Sequence, residues 1–262
     1  MKRKKIAVAF FGITRSLSYT IDSINRNVLG PARDAADVSV YAHFFDVKTI
    51  DNARSGELGK INPDEYKLLE PDWVQFTKPD TILAECGFDE ISSFGDHWDD
   101  GFKSISNLLH QLYSLKTVTN RLLQDAPDVV VFCRPDLEYH DSMADGLRLA
   151  TSMEGPLALL PYWQRHKGGL NDRFSICAGE QAISAYGKRL DLALPFCRNM
   201  QIELHSERLI RYALAKSDVP IKKLNVRASR VRTDGRMMNE DFTRRAWKTF
   251  RNYVRFRRMM RF

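Results

Sequence analysis

The sequence predicts an α/β fold, a single mostly parallel sheet covered by helices on both faces. Three observations carry that expectation. Lys5–Gly12 and Val129–Cys133 are continuous apolar runs, which is how strands buried on both faces read. Residues 14–29 and 102–123 place apolar side chains at steps of three and four. Residues 5–46 read as strand, helix, strand, the right-handed βαβ unit.

In order along the chain, the first strand ends at Gly12. Leu17, Ile21, Ile24 and Val28 then mark a helix that Gly30-Pro31 is expected to stop. Residues 37–46 form the second strand. Residues 47–72 are polar and read as irregular, and Trp73 to Phe76 as a short third strand. Residues 79–101, with three glycines and the acids Asp96, Asp99 and Asp100, read as a long loop of the kind that carries function. The helix at 102–123 aligns Ile105, Leu108, Leu109, Leu112, Leu115, Val118 and Leu122 on one face. After the strand at 129–133 come a helix at 142–152, a strand at 156–162, and a strand at 173–177 feeding a helix at 179–190. A helix at 203–215 and a last strand at 221–231 complete the pattern. There is no internal repeat.

The chain has 262 residues and 44% hydrophobic content, enough for a sizeable core, and its 11% aromatic content argues against long disorder. No run approaches the roughly 20 apolar residues of a spanning helix. The basic start is followed by only a strand's length of apolar residues, so neither a secretion signal nor an anchor is expected, and the location reads as cytoplasmic. The four cysteines form no C-x-x-C pair, which speaks against zinc knuckles and redox motifs. The net charge of +7 is concentrated at the ends. Lys2 to Lys5 contribute four cations and residues 243–262 eight more with no acid. The body, residues 6–242, is left at about −5, which makes nucleic acid an unlikely partner of the globular surface.

Open α/β sheets bind ligands beyond the carboxyl ends of their strands. The first such end, Gly12-Ile13-Thr14-Arg15, offers close backbone approach, a hydroxyl and a cation to a phosphate, or is simply a βα turn. It is not a G-x-G-x-x-G fingerprint, so a dinucleotide site is not expected. At the second end, His43 either meets substrate or packs under the sheet edge. The end at Arg134-Pro135-Asp136-Leu137-Glu138 is the most informative, because a carboxylate stands between a cation and a second acid. Asp136 and Glu138 are candidate ligands for Mn²⁺ or Mg²⁺ bridging phosphates, or Arg134 and Asp136 form a structural ion pair. Gly168-Gly169 precedes Asn171-Asp172-Arg173-Phe174 as a mobile substrate loop ending in a hydroxyl-recognising acid, or as a plain turn. Glu207 is a helix-start acid favoured by the dipole, or a general base.

These residues, in this order, resemble the bacterial GT-A-like proteins found with capsule and lipopolysaccharide glycosyltransferases. Gly12 and Arg15, His43, Gln111 and Ser114, Arg134-Pro135-Asp136-Leu137, Asn171-Asp172-Arg173-Phe174 and Glu207 carry the resemblance over residues 5–215. It implies a single GT-A-like, Rossmann-related domain that moves a sugar from a nucleotide-sugar donor to a polysaccharide or lipid-linked glycan acceptor. Gly12, Thr14, Arg15, His43, Gln111, Ser114, Arg134 and Asp136 would hold the donor, and Asp172 and Glu207 would be catalytic. Asp136 would stand where the family's D-x-D carboxylate sits. Here R-x-D replaces it, which leaves the metal optional and makes a degenerate, non-catalytic scaffold or binding domain the alternative.

The expected domain runs from 1 to 235, with residues 236–262 as a basic tail. On a helical wheel, Arg244, Arg245, Lys248, Arg251 and Arg255 oppose Trp247, Phe250, Tyr253, Val254 and Phe256. Such a helix suits an anionic membrane surface at the inner face of the cytoplasmic membrane, or docks its aromatic face on the domain.

Overall fold

The computed structural model describes residues 3–52 and 57–243. Strand β1 (Lys5–Gly12) leads into helix α1 (Leu17–Ile24), a wide turn at Asn25–Leu29, helix α2 (Gly30–Ala35) and strand β2 (Asp37–Phe45). The helix therefore runs through Gly30-Pro31 rather than stopping there. The Gly30 N–H reaches back five residues to the Asn25 carbonyl, and Pro31 sits in the first turn of α2, where its missing N–H is not needed.

Residues 47–72 are more ordered than their polarity predicts. They hold the hairpin β3 (Thr49–Asn52) and β4 (Glu57–Lys60) and a 3₁₀ turn at Glu65–Leu69, before β5 (Trp73–Thr77). The expected long loop at 79–101 contains the short helices α3 (Ile82–Glu85) and α4 (Phe88–Ser92), and its acids organise the entry to α5 (Lys103–Leu122). Asp96 accepts the backbone N–H groups of Trp98, Asp100 and Phe102, and Asp100 accepts that of Ser104.

The second half contains β6 (Val129–Cys133), β7 (Leu137–Tyr139), α6 (Ala144–Ser152), β8 (Leu157–Pro161), β9 (Ser175–Ala178), α7 (Glu180–Gly187), α8 (Ala193–Met200) and α9 (Ser206–Lys216). It closes with β10 (Ile221–Leu224) and β11 (Ala228–Arg230). Helix α8, with Pro195 in its first turn where no N–H is needed, has no counterpart in the sequence reading.

Seven strands form one sheet in the order β10-β8-β9-β6-β1-β2-β5, and all pair in parallel except β9. The mostly parallel sheet flanked by helices is thus present. Strand β9 is reversed because residues 162–174 carry no crossover helix. The chain turns back directly at the carboxyl end of β8, which leaves that loop beside the carboxyl ends of β1 and β6.

In β1 the alternation divides the core. Ile6, Val8 and Phe10 pack with α1, α2 and α6, whereas Ala7, Ala9 and Phe11 pack with α5, α7 and α9. A third apolar cluster joins α3, α4, α5, α8 and α9. The four cysteines are unpaired. Among the described residues no helix is long and apolar enough to cross a membrane.

Two boundaries differ from the sequence reading. The expected strand at 221–231 divides, β10 joining the main sheet and β11 pairing antiparallel with β7. The bend between them is pinned. The Trp163 indole donates to the Val226 carbonyl at 2.8 Å, and the Arg227 guanidinium pairs with Asp141 at 2.8 Å. The domain also does not end at 235. The Glu240 side chain is fully buried against Arg173 and Arg230, and Phe242 packs edge-on to Trp163 at 5.1 Å. Residues 244–262, on which the amphipathic basic helix was read, lie outside the described residues.

Candidate functional site

The carboxyl ends of β1, β2 and β6 open into a cleft of about 1320 Å³, larger than the roughly 300–1,000 Å³ of a pocket for one small ligand. Gly12 and Arg15 enter it from the first βα turn, Gln111 from α5, Arg134 and Asp136 from beyond β6, and Asp172, His205 and Glu207 from the loop after β8 and the start of α9.

One wall is built of arginines gripped by buried acids. Pro135 ends the ladder of β6, and Asp136 turns back onto two guanidinium groups. Arg134 donates to both of its oxygens at 2.9 and 2.7 Å, and Arg15 donates to Oδ2 from Nε and Nη2 at 3.2 and 2.7 Å. Burial alone would raise the Asp136 pKa, but the Arg134 and Arg15 charges hold it well below the usual carboxylate range. The second edge of Arg15 meets Glu57 of β4 at 2.9 Å, and Glu57 also accepts from Arg232 at 3.0 Å. A parallel arrangement sets Glu240 between Arg173 and Arg230 at 3.1 and 2.7 Å.

The opposite wall is built of titratable groups held with few partners. The Glu207 carboxylate accepts the His166 backbone N–H, yet burial and then the neighbouring Asp172 charge push its pKa well above the usual glutamate value. Asp172 has no hydrogen-bond or ion-pair partner among the described residues. His205 stacks on Trp98, with ring centres 5.6 Å apart, and meets His97 edge-on at 4.7 Å. Its Nδ1 is enclosed without a hydrogen-bond partner. Burial, followed by repulsion from His97, brings its pKa down to about 3.

The loop at 168–173 is hydrogen-bonded to α9. Arg211 donates to the Gly168 carbonyl at 2.6 Å, and the Leu170 N–H donates to the Glu207 carbonyl at 2.9 Å. Gly169 is required by that approach, since a Cβ there would stand 2.4 Å from the Glu207 carbonyl carbon.

Of the expected donor residues, Gly12, Arg15, Gln111, Arg134 and Asp136 line the cleft, whereas Thr14, His43 and Ser114 are buried beneath it. His43 and Ser114 form a relay under the floor. The Ser114 hydroxyl accepts the Gly12 N–H at 2.8 Å, donates to the His43 carbonyl at 2.7 Å and meets His43 Nδ1 at 2.8 Å. His43 Nε2 meets the Thr77 hydroxyl at 2.9 Å, so both ring nitrogens are used, and burial lowers the His43 pKa to about 4. The packing alternative therefore holds for His43, and its role is to fix Gly12, which adopts φ of 109°, a left-handed conformation open to glycine.

The residues expected to hold Mn²⁺ or Mg²⁺ do not fit a divalent ion. Both Asp136 oxygens are taken by guanidinium groups. Glu138 lies on β7 opposite Ser229 and is not among the cleft residues. Among the described residues no three His, Cys, Asp or Glu side chains are grouped to hold a metal.

The sequence reading missed Glu57, Arg230, Arg232, Glu240 and Trp98. The only local signal was Arg230-Val231-Arg232 at the end of the last expected strand.

No protein-family model matches the sequence, and neither does any curated protein. Among solved structures, the fold is similar to the apo form of mouse xyloside xylosyltransferase 1, with 11% identity over 84% of this chain and 85% of that chain and a TM-score of 0.43.

Proposed function

We propose that the cleft transfers a glycosyl group from a nucleotide-sugar to a hydroxyl acceptor, in a GT-A-like domain. The observation that carries this reading is the pairing of two unlike walls at the carboxyl ends of parallel strands. Fixed guanidinium groups stand across from Asp172, a carboxylate with no partner among the described residues. In a single displacement, the acceptor hydroxyl gives its proton to the Asp172 carboxylate as its oxygen bonds to the donor's anomeric carbon. The bond from that carbon to the diphosphate breaks, and its electron pair leaves on the diphosphate. Arg15 and Arg134 face the charge that develops there and are already held in place, so no reorganisation is needed. No step passes through a metal.

Of the two candidate bases the geometry favours Asp172. Burial and the Asp172 charge push the Glu207 carboxyl toward its neutral acid, and it receives the His166 N–H, which makes it a support for the loop that carries Asp172. The acceptor belongs to a polysaccharide or a lipid-linked glycan at the inner membrane face, a reading that rests on the basic sequence at 243–262. The neutralised Asp136 favours a second reading, a non-catalytic nucleotide- or glycan-binding scaffold.

The test is a thermal-shift titration with UDP, GDP, CMP and dTDP, each with and without Mn²⁺. Ligand at 100 times its Kd should stabilise the fold by about 2.7 kcal/mol. A shift with one nucleotide supports the donor site, and silence with all four sinks it. Given a nucleotide, loss of turnover but not of nucleotide binding in Asp172→Asn separates the enzyme from the scaffold.

A further inference from the structure

We propose that the diphosphate is held without a metal ion, in an arginine-built anion site to which Arg230 and Arg232 belong. This rests on the nucleotide-sugar reading and goes beyond it, since the resemblance left the metal optional and gave no role to Arg230 or Arg232.

The position that would hold the ion is filled by cations of the protein itself. Asp136 is almost wholly buried and accepts four N–H bonds from Arg15 and Arg134. A dication there would have to displace a guanidinium group from a low-dielectric site and stand beside the other. The same construction repeats across the cleft. Glu57 grips Arg15 and Arg232, and Glu240 grips Arg173 and Arg230.

Arg15 has both edges taken by Asp136 and Glu57, whereas Arg134 and Arg230 each give one edge to an acid and keep another unused. Among the described residues Arg134 Nη1 and both terminal nitrogens of Arg230 have no hydrogen-bond partner, and Arg232 Nε is enclosed without one. Arg134, Arg230 and Arg232 all line the cleft. Guanidinium groups clamped in this way are preorganised donors for phosphate oxygens.

The balance of charge favours an anion. Among the described residues, five guanidinium groups, Arg15, Arg134, Arg173, Arg230 and Arg232, share three carboxylates, Asp136, Glu57 and Glu240. Asp172 acts on Arg134 and Arg173 from the opposite wall, and the cations still outnumber the acids. The crowding is felt within the cluster. Burial and then repulsion from Arg230 bring the Arg173 pKa down to about 10, and Arg15 and Arg230 act in the same direction on buried Arg232. An anion bound between the arginines relieves that repulsion.

The experiment is calorimetric titration of the full chain with inorganic pyrophosphate in a chelating buffer, followed by the nucleoside diphosphates with and without Mn²⁺. Pyrophosphate is expected to bind in chelator. Arg230→Gln, at a partly exposed side chain and with Glu240 still paired to Arg173, should weaken it about tenfold or more, as should Arg232→Gln. Lack of pyrophosphate binding in chelator overturns the proposal. So does binding that Arg230→Gln leaves unchanged, because the anion then sits elsewhere. Nucleotide binding that appears only with Mn²⁺ overturns it too, while sparing the nucleotide-sugar reading. Metal-free pyrophosphate binding with no nucleotide bound upholds the anion site and removes the nucleotide reading instead.

Discussion

The two walls of the cleft treat charge in opposite ways. On the wall of β1, β6 and β11, every acid is matched with at least two guanidinium groups, and burial strengthens the pairing because the low dielectric raises the Coulomb attraction. On the wall of α9 and the loop after β8, burial acts without matched partners. Glu207 is pushed toward its neutral acid and His205 toward its neutral base. The first wall keeps ions at fixed positions, which suits binding an anion. The second suppresses charge around one carboxylate, Asp172, which suits moving a proton.

The largest expected effect tests whether the first wall depends on mutual pairing. Asp136→Ala leaves Arg15 and Arg134 buried without their shared acceptor and should cost about 3–5 kcal/mol in chemical denaturation. A loss below 1 kcal/mol would mean that the guanidinium groups are solvated after all, and the contrast between the walls would disappear.

The second wall is probed by acid. Folded His205 takes its proton only near pH 3, whereas the unfolded chain takes it near 6.5. Its contribution to stability is therefore present above pH 6.5 and is lost as pH falls toward 3. Relative to wild type, His205→Asn should flatten that descent by about 1.4 kcal/mol per pH unit. Parallel pH profiles for the two proteins would show that His205 is not held neutral.

A smaller effect concerns the loop that carries Asp172. Gly169→Ala forces a Cβ against the Glu207 backbone and should destabilise by about 1–3 kcal/mol, with a further loss of any transferase rate. An unchanged unfolding midpoint would show that the loop gives way freely, as one of the two sequence readings allows.

The smallest effect sharpens the assignment of the base. Folded Glu207 keeps its proton to higher pH than the unfolded chain, whose glutamate titrates near 4.5. Its contribution is fully present below that value and lost as pH rises through the folded pKa. Glu207→Gln should change stability at pH 5 by less than about 1 kcal/mol, and should remove the decline toward alkaline pH. A Gln variant that loses stability equally at every pH would show Glu207 to be ionised.

Much of the architecture was legible because the periodicities are local. The apolar runs of β1 and β6 and the seven-residue stripe of α5 each declare their element without help from distant residues. The failures have physical reasons. Gly30-Pro31 reads as a stop, but a wide turn places the proline where it needs no N–H. The strand at 221–231 reads as one piece because nothing in its own residues reveals that Trp163 and Asp141 will bend it. His43 and Ser114 were named as donor residues, but their side of the sheet was not given by spacing, and they brace the Gly12 turn from below.

The sequence by itself determined the mostly parallel sheet, and it pointed to the carboxyl ends of its strands, where Arg15, Arg134, Asp136, Asp172 and Glu207 line the cleft. Those follow from hydrophobic period and from where each strand must end. Only the tertiary structure decided which charges meet. Glu57 and Arg232 are far apart in the chain but share one hydrogen bond at 3.0 Å, and Glu240 lies buried beyond the expected end of the domain. Whether an acid binds a cation from a ligand or one from the protein depends on such long-range pairings and on burial, neither of which a local pattern of residues encodes.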